Sequence, residues 1–199
     1  MKEMRVREQW TQPGRRIVVI GTSGSGKTTM ARRLGERLGV PHIELDELHL
    51  GPNWAEVPDE VFREQTLRAL DGREGWTVDG NYSQVRDIVW PQADTVVWLD
   101  YSLPLMLWRL TRRTFGRAIV KEEIWHGNKE NLYTHLFTKD SLYWWVLTTY
   151  KTRRKEYPVL LQSPEYAHLI KIRLRSAREA NRWFERVHES PRKTDELLS

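Results

Sequence analysis

Apolar positions along this chain fall into short unbroken runs, separated by longer stretches in which they recur every three or four residues. Arg15 to Gly21 reads RRIVVIG, a β-branched run closed by glycine, and predicts a buried strand. Met30, Leu34 and Leu38 then repeat at helical spacing and stop at Gly39, shortly before Pro41. His42 to Leu45 predicts a second strand, closed by Asp46. Pro58, Asp59 and Glu60 mark a helix start, with Val61, Phe62, Ala69 and Leu70 as its apolar side up to Gly72. Trp76 to Val78 predicts a third strand ending in Asp79, and Thr95 to Leu99 a fourth ending in Asp100. Ser102 is placed to cap the helix that carries Trp108 and Arg109. Leu169, Ile170 and Ile172 supply a fifth strand within 168–172, and a last helix covers about Ala177 to Val187.

Elsewhere the pattern is weaker. Residues 114–138 have little periodicity and predict a mobile insert. Asp140 is placed to cap an aromatic helix through Lys155, stopped by Pro158, and residues 188–199 read as a frayed tail. Strands alternating with helices imply a parallel sheet covered on both faces. With no internal repeat and no composition break, residues 1–199 read as one domain.

Composition narrows the class. Hydrophobic residues make up 39 %, enough for a core, while 30 % charged residues and a mean hydropathy of −0.65 favour a soluble chain. No apolar run approaches the roughly 20 residues that span a bilayer. The N-terminus, MKEMRVREQW, has no hydrophobic region of a signal peptide, so a cytoplasmic location is expected. The absence of cysteine excludes disulfides and thiolate metal sites. The net charge of +5 is unevenly spread: Arg109, Arg112, Arg113, Arg117 and Lys121 form one cluster, and Lys151, Arg153, Arg154 and Lys155 another. Such clusters suit a polyanion, whether nucleotide phosphates or a nucleic-acid backbone. For the second cluster a solvated helix face is the simpler reading.

The sharpest signal is Gly21-Thr-Ser-Gly-Ser-Gly-Lys-Thr28, a full G-x-x-x-x-G-K-[ST] Walker A match between a strand and a helix. Glycines let the backbone curl so that successive N–H groups face one anion, and the helix N-terminus adds partial positive charge. Thr22, Ser23, Gly24, Ser25, Gly26, Lys27, Thr28 and Thr29 are therefore expected to cradle ATP or a related triphosphate. Lys27 should reach the β- and γ-phosphates, and the Thr28 hydroxyl should bind Mg2+. A second metal anchor is expected from a strand-end carboxylate, Asp79 or Asp100; Asp100 also suits a helix cap, so Asp79 is preferred.

Gly75-Trp-Thr-Val-Asp-Gly-Asn-Tyr82 resembles the third-strand motif of adenylate-kinase-like enzymes. A closer likeness is to bacterial proteins of the topology-modulation, or adenylate-kinase-related, group. These share Leu45-Asp-Glu-Leu-His-Leu-Gly-Pro-Asn-Trp54, Asp79-Gly-Asn-Tyr82 and Trp108-Arg-Leu-Thr-Arg-Arg113, over roughly residues 15–187. The resemblance implies a P-loop fold with a five-stranded parallel sheet in the order 2-3-1-4-5, a lid at 114–138, and Asp79 beside the P-loop strand. It also implies that Arg109 and Arg113, one helical turn apart, grip the triphosphate and stabilise charge on the transferred phosphoryl group.

The acceptor is less defined. Nucleoside monophosphate kinases carry an arginine where this chain has Ser83, with Arg86 three residues on. Asp46 follows the second strand at the P-loop edge, where small-molecule kinases of similar fold place an acid that addresses a substrate hydroxyl and takes its proton. His49 is a further pocket candidate, and Trp54, Tyr82 and Trp108 could stack on a planar substrate, with Trp54 the preferred wall. The expected function is ATP- and magnesium-dependent transfer of a phosphoryl group to a small acceptor, more readily a hydroxyl. Its rivals are a nucleoside monophosphate kinase, a nucleic-acid-binding ATPase or polynucleotide kinase, and a nucleotide switch with no acceptor. Nucleic acid ranks below a small molecule or nucleotide as partner.

Overall fold

The computed structural model of the chain describes residues 11–120, 123–124, 128–129 and 142–188, with side chains at 11–112, 144 and 146–188. β1 (Arg16–Gly21) lies at the centre of a parallel sheet, between β3 (Trp76–Asp79) and β4 (Thr95–Leu99). β2 (His42–Glu44) and β5 (Ile170–Leu174) form the edges, in the order β2-β3-β1-β4-β5. This is the α/β fold and strand order that the resemblance implied.

Ile17, Val18, Val19 and Ile20 are at most 2 % exposed, because a central parallel strand must be covered on both faces. Val18 and Ile20 enter one core with Val78, Val96 and Trp98, and Ile17 and Val19 enter the other with Val97, Leu99 and Leu174. Helices α3 (Asp59–Leu70), α4 (Arg86–Val89) and α6 (Leu142–Gln162) supply Phe62, Ile88 and Leu161 to the first core. Helices α1 (Lys27–Leu38) and α7 (Ala177–Phe184) supply Leu34 and Trp183 to the second, joined by Met106 of α5 (Leu103–Val120). Since all strands run one way, Gly21, Glu44, Asp79 and Leu99 emerge along a single edge. Glu44 stands level with Asp79, and Asp79 with Val19. No helix among the described residues is long and apolar enough to cross a membrane.

Several expected boundaries move. The second strand stops at Glu44, and Leu45 opens the short helix α2 (Leu45–His49). Leu45 and His49, one turn apart, are both buried, so a segment that reads as a strand run turns helical. Asp46 consequently sits in a first helical turn rather than at a strand end. In α3 the buried line is Phe62, Thr66 and Leu70, while Val61 is exposed; Thr66 Oγ1 donates to the Phe62 carbonyl at 2.8 Å.

Pro158 does not end its helix: α6 continues to Gln162. A proline in a helix interior costs about 3 kcal/mol. Tyr157 and Leu161 flank it, buried to 5 % and 3 % exposure, and side chains buried this fully contribute about 1.5–3 kcal/mol each, enough to offset the lost bond. The fifth strand runs on to Leu174. Residues 114–120, expected to be an irregular insert, continue α5. Beyond them Glu123 pairs with Lys129 and Ile124 with Asn128 in a two-residue antiparallel ladder, which lies beside the turn Pro52–Trp54. The rest of the expected insert, Asp140 and the tail from 189 on lie outside the described residues.

Candidate active site

The loop from Thr22 to Gly26 joins β1 to α1 at the C-terminal edge of the sheet. Gly24 has φ +81°, and a Cβ there would come within 2.7 Å of the Met106 carbonyl oxygen. Gly26 has φ +89° and opens α1 with no side-chain cap, leaving the first amides of the helix available to an anion. The Ser25 N–H closes the turn on the Thr22 carbonyl at 3.0 Å. Ser25 Oγ is buried and has no hydrogen-bond partner among the described residues, which fits a hydroxyl awaiting a phosphate oxygen. Thr29 is exposed one residue beyond Thr28, and Lys27 is the first residue of the helix.

Thr28 Oγ1 donates to Asp79 Oδ2 at 2.7 Å, so the hydroxyl and carboxylate expected to share a metal are in contact. The other Asp79 oxygen, Oδ1, lies 2.8 Å from His42 Nε2, which must carry the proton because the carboxylate only accepts. His42 Nδ1 is 3.9 Å from Glu44 Oε1. Burial, and next the Asp79 carboxylate in register beside it, push the Glu44 carboxyl above its ordinary range. No cluster of three His, Asp or Glu able to hold a metal by protein ligands alone occurs among the described residues. Thr28 and Asp79 instead fit Mg2+, which keeps waters and phosphate oxygens as most of its ligands.

Asp100 is neither metal anchor nor helix cap. It is 4 % exposed and receives Arg154 Nε at 2.8 Å and an Arg173 amino group at 2.5 Å. Two guanidinium groups satisfy both its oxygens, as a buried carboxylate requires. The helix after it is anchored by backbone, with Met106 N–H bonded to the Ser102 carbonyl at 3.2 Å.

Arg109 reaches the cradle: a guanidinium N–H donates to the Ser25 carbonyl at 3.1 Å, and the group lies 5.2 Å from the centre of the Tyr101 ring. The side chain of Arg113 lies outside the described residues. Arg112 is exposed and sits 5.7 Å from the exposed Trp108 ring. Lys151 and Lys155 are exposed, whereas Arg154 is committed to Asp100.

The segment Asp79-Gly-Asn-Tyr82 is a strap across this edge, and each member has its own task. Asp79 holds Thr28. Gly80 takes φ +138° with Leu45 so close that a Cβ would sit 2.8 Å from it. The Asn81 side-chain amide donates to the Gly21 carbonyl at 2.6 Å and accepts from the Gly21 N–H at 3.3 Å. Tyr82 Oη donates to Asp46 Oδ1 at 2.8 Å. Burial, then the Asp46 charge, push the Tyr82 phenol far above its usual range, so it remains a donor. Its ring packs edge-on against His49 and Phe62, at 4.6 and 5.2 Å. His49 is thus a buried aromatic, and Tyr82 is a packed ring rather than an open stacking face. Trp54 stands 38 % exposed beside the two-residue ladder, apart from the pocket next to the strap. That pocket is lined by Ile20, Leu45, Asn81, Tyr82, Arg86 and Tyr157 among others. His42, and the bonds of Asn81, carried no sequence signal of their own: a lone histidine in a three-residue strand and an asparagine in a loop look ordinary until the sheet pairs them.

A protein family described as "AAA domain" matches residues 17–126. The chain is 28 % identical over 137 residues to a shikimate kinase of Xanthomonas campestris pv. campestris (strain 8004), spanning 58 % of this chain and 73 % of that one. It is 30 % identical over 122 residues to an adenylate kinase of Halobacterium salinarum, spanning 49 % of this chain and 56 % of that one. Among solved structures, shikimate kinase from Acinetobacter baumannii in complex with shikimate superposes with a TM-score of 0.54 at 20 % identity, covering 88 % of this chain and 90 % of that one. At that identity the likeness concerns the fold.

Proposed function

This chain belongs to the AAA-domain family and is an ATP-dependent P-loop kinase; we propose that it transfers the γ-phosphoryl group of ATP to a hydroxyl of a small molecule. The observation that carries this reading is Asp46. It is held by the Tyr82 phenol at 2.8 Å, one strap residue from the Asn81 that clamps the cradle. A phosphate acceptor is already anionic, whereas an alcohol needs orientation and a place for its proton. The relatives include a shikimate kinase and an adenylate kinase, and one of the solved structures of similar fold is a shikimate kinase in complex with shikimate.

In this reading the cradle amides and Lys27 hold the β- and γ-phosphates, and Ser25 Oγ gains the partner it lacks. Thr28 and Asp79 hold Mg2+, which when bound neutralises phosphate charge. Arg109 swings from the Ser25 carbonyl onto the transferred group, with Arg113 beside it. Asp46 orients the acceptor hydroxyl and accepts its proton as the O–P bond forms. Residues 114–138, beginning on α5 and passing the turn Pro52–Trp54, act as a lid that excludes water.

A second reading, a nucleoside monophosphate kinase, is favoured by one observation: Arg86 lines the pocket beside the strap. The two separate in kinetics on the best acceptor from a screen of hydroxyl compounds and nucleoside monophosphates. Asp46→Asn should lower transfer by about 100-fold or more while leaving ATP affinity unchanged. A negligible effect of Asp46→Asn, with transfer to a nucleoside monophosphate, would establish the second reading instead.

A further inference from the structure

β3 ends two residues short of β1. Their shared register stops at Val19 opposite Asp79, while β1 runs on to Gly21, which pairs with Leu99 on its other side. Carried two residues further, the same register sets Asn81 level with Gly21. The backbone there has already turned away: Gly80 takes φ +138°, and a Cβ on it would lie 2.8 Å from the Leu45 side chain. The Asn81 side chain fills the gap. Its amide group donates to the Gly21 carbonyl at 2.6 Å and its oxygen accepts from the Gly21 N–H at 3.3 Å, as a neighbouring strand would. Since a carbonyl only accepts and an N–H only donates, the orientation of that side-chain amide is fixed.

Gly21 is where the strand becomes the cradle. An added Cβ there would lie 2.8 Å from the Leu99 carbonyl oxygen and 2.7 Å from Ser25 Oγ, the buried hydroxyl with no hydrogen-bond partner among the described residues. The setting of this one peptide therefore bears directly on where the loop points its hydroxyl and its N–H groups. From the next strap residue, the Tyr82 phenol reaches Asp46 at 2.8 Å. We propose that Asn81 is a positioning residue for phosphoryl transfer: it fixes the Gly21 peptide at the mouth of the cradle, and through the strap it ties nucleotide binding to the setting of Tyr82 and Asp46.

A cradle whose first peptide is held on both flanks loses little freedom when phosphates arrive, so the hold raises affinity by preorganisation. A nucleotide-filled cradle in turn orders the strap, and less freedom then remains to be lost when an acceptor hydroxyl meets Asp46. That last step rests on the hydroxyl-transfer reading; the earlier ones need nucleotide alone.

The test titrates metal-free ADP calorimetrically onto wild type, Asn81→Ser and Asn81→Asp. Serine is too short to span both groups of Gly21, and a carboxylate accepts from the N–H but cannot donate to the carbonyl. Leaving magnesium out isolates the cradle from the metal anchor at Asp79. Affinity should fall by about 10-fold in Asn81→Ser, the scale of a net hydrogen bond, and further in Asn81→Asp, where two acceptors face each other. Amide hydrogen exchange reads the coupling. In wild type, metal-free ADP should slow exchange at 80–85 and 45–49 as well as at 21–29; in Asn81→Ser the slowing should remain only at 21–29. Variants that melt lower yet bind ADP like wild type would assign Asn81 to the fold alone. Exchange at 80–85 that ADP leaves unchanged in wild type would overturn the coupling, whether or not either variant folds. Either failure leaves the hydroxyl reading standing, because no acceptor takes part in these measurements. Loss of that reading in the Asp46→Asn kinetics would leave the hold on Gly21 in place.

Discussion

His42 Nε2 and Asp79 Oδ1 lie 2.8 Å apart, and Thr28 Oγ1 holds the other oxygen of the same carboxylate at 2.7 Å. Asp79 is therefore fixed from both sides before any ligand arrives. Partners that orient a metal-ligating carboxylate are typically worth about 10–100-fold in metal affinity. His42→Ala should weaken the magnesium-dependent part of nucleotide binding by roughly 10-fold, with metal-free nucleotide binding nearly unchanged, and His42→Gln should recover part of the loss. Titrating magnesium at fixed nucleotide checks this; identical curves for wild type and His42→Ala would remove His42 from the site.

Tyr82 ties Asp46 to the strap. Tyr82→Phe keeps the ring against His49 and Phe62 but deletes the bond to Asp46. Transfer should fall by about 10-fold, the value of one hydrogen bond to a charged group, while the melting temperature shifts little. Because burial and Asp46 hold the phenol protonated, no ionisation of Tyr82 should appear in the pH–rate profile of the wild type up to about pH 10. A large stability loss in Tyr82→Phe, with kcat intact, would assign Tyr82 to packing alone.

Glu44 works against the fold. Its carboxyl is raised by burial and by Asp79, so between the ordinary carboxylate range and its raised value the folded chain binds more protons than the unfolded one. Stability from this group is therefore lost as pH rises through that window. Glu44→Gln should melt higher than wild type at pH 7, on a scale of about 2–4 °C per kcal/mol for a domain of this size, and the gap should close near about pH 4. Thermal melts across pH 4–8 give the answer; a variant less stable at pH 7 would show that the 3.9 Å approach to His42 outweighs the repulsion.

Two members of the basic clusters already have partners within the protein. Arg109 is turned into the cradle and Arg154 onto Asp100. Binding of a labelled 20-nucleotide single strand should be weak near 0.15 M salt, because the cations of each cluster that are held by protein groups cannot also release counterions from a strand. Tight binding with a steep salt dependence in anisotropy titrations would revive the polynucleotide reading.

The strands and the cradle were legible because their signals are local. A β-branched run, a glycine-lysine-threonine spacing and the alternation of elements need no tertiary information. Asp79 was legible for a different reason: resemblance supplied its place, and sheet register then set it opposite Val19 and beside Glu44. Long-range pairing hid the rest. Asp100 looked like a cap because Ser102 follows it, yet its partners Arg154 and Arg173 are over 50 residues away in sequence. Pro158 looked like a stop because proline breaks isolated helices, and only the burial of Tyr157 and Leu161 reveals why the helix continues.

Asn81 grips both backbone groups of Gly21, so the strap and the phosphate cradle behave as one part. This divides the site into a half that resists change and a half that tolerates it. A substitution at 79–82 disturbs the cradle through the strap, whereas Arg86 stands half-buried on the next helix, without a bond to the cradle. Laboratory selection for new acceptors should accordingly enrich changes at 86 and leave the strap untouched. Divergence of substrate preference in such a scaffold can then proceed one wall at a time, with the triphosphate half inherited intact.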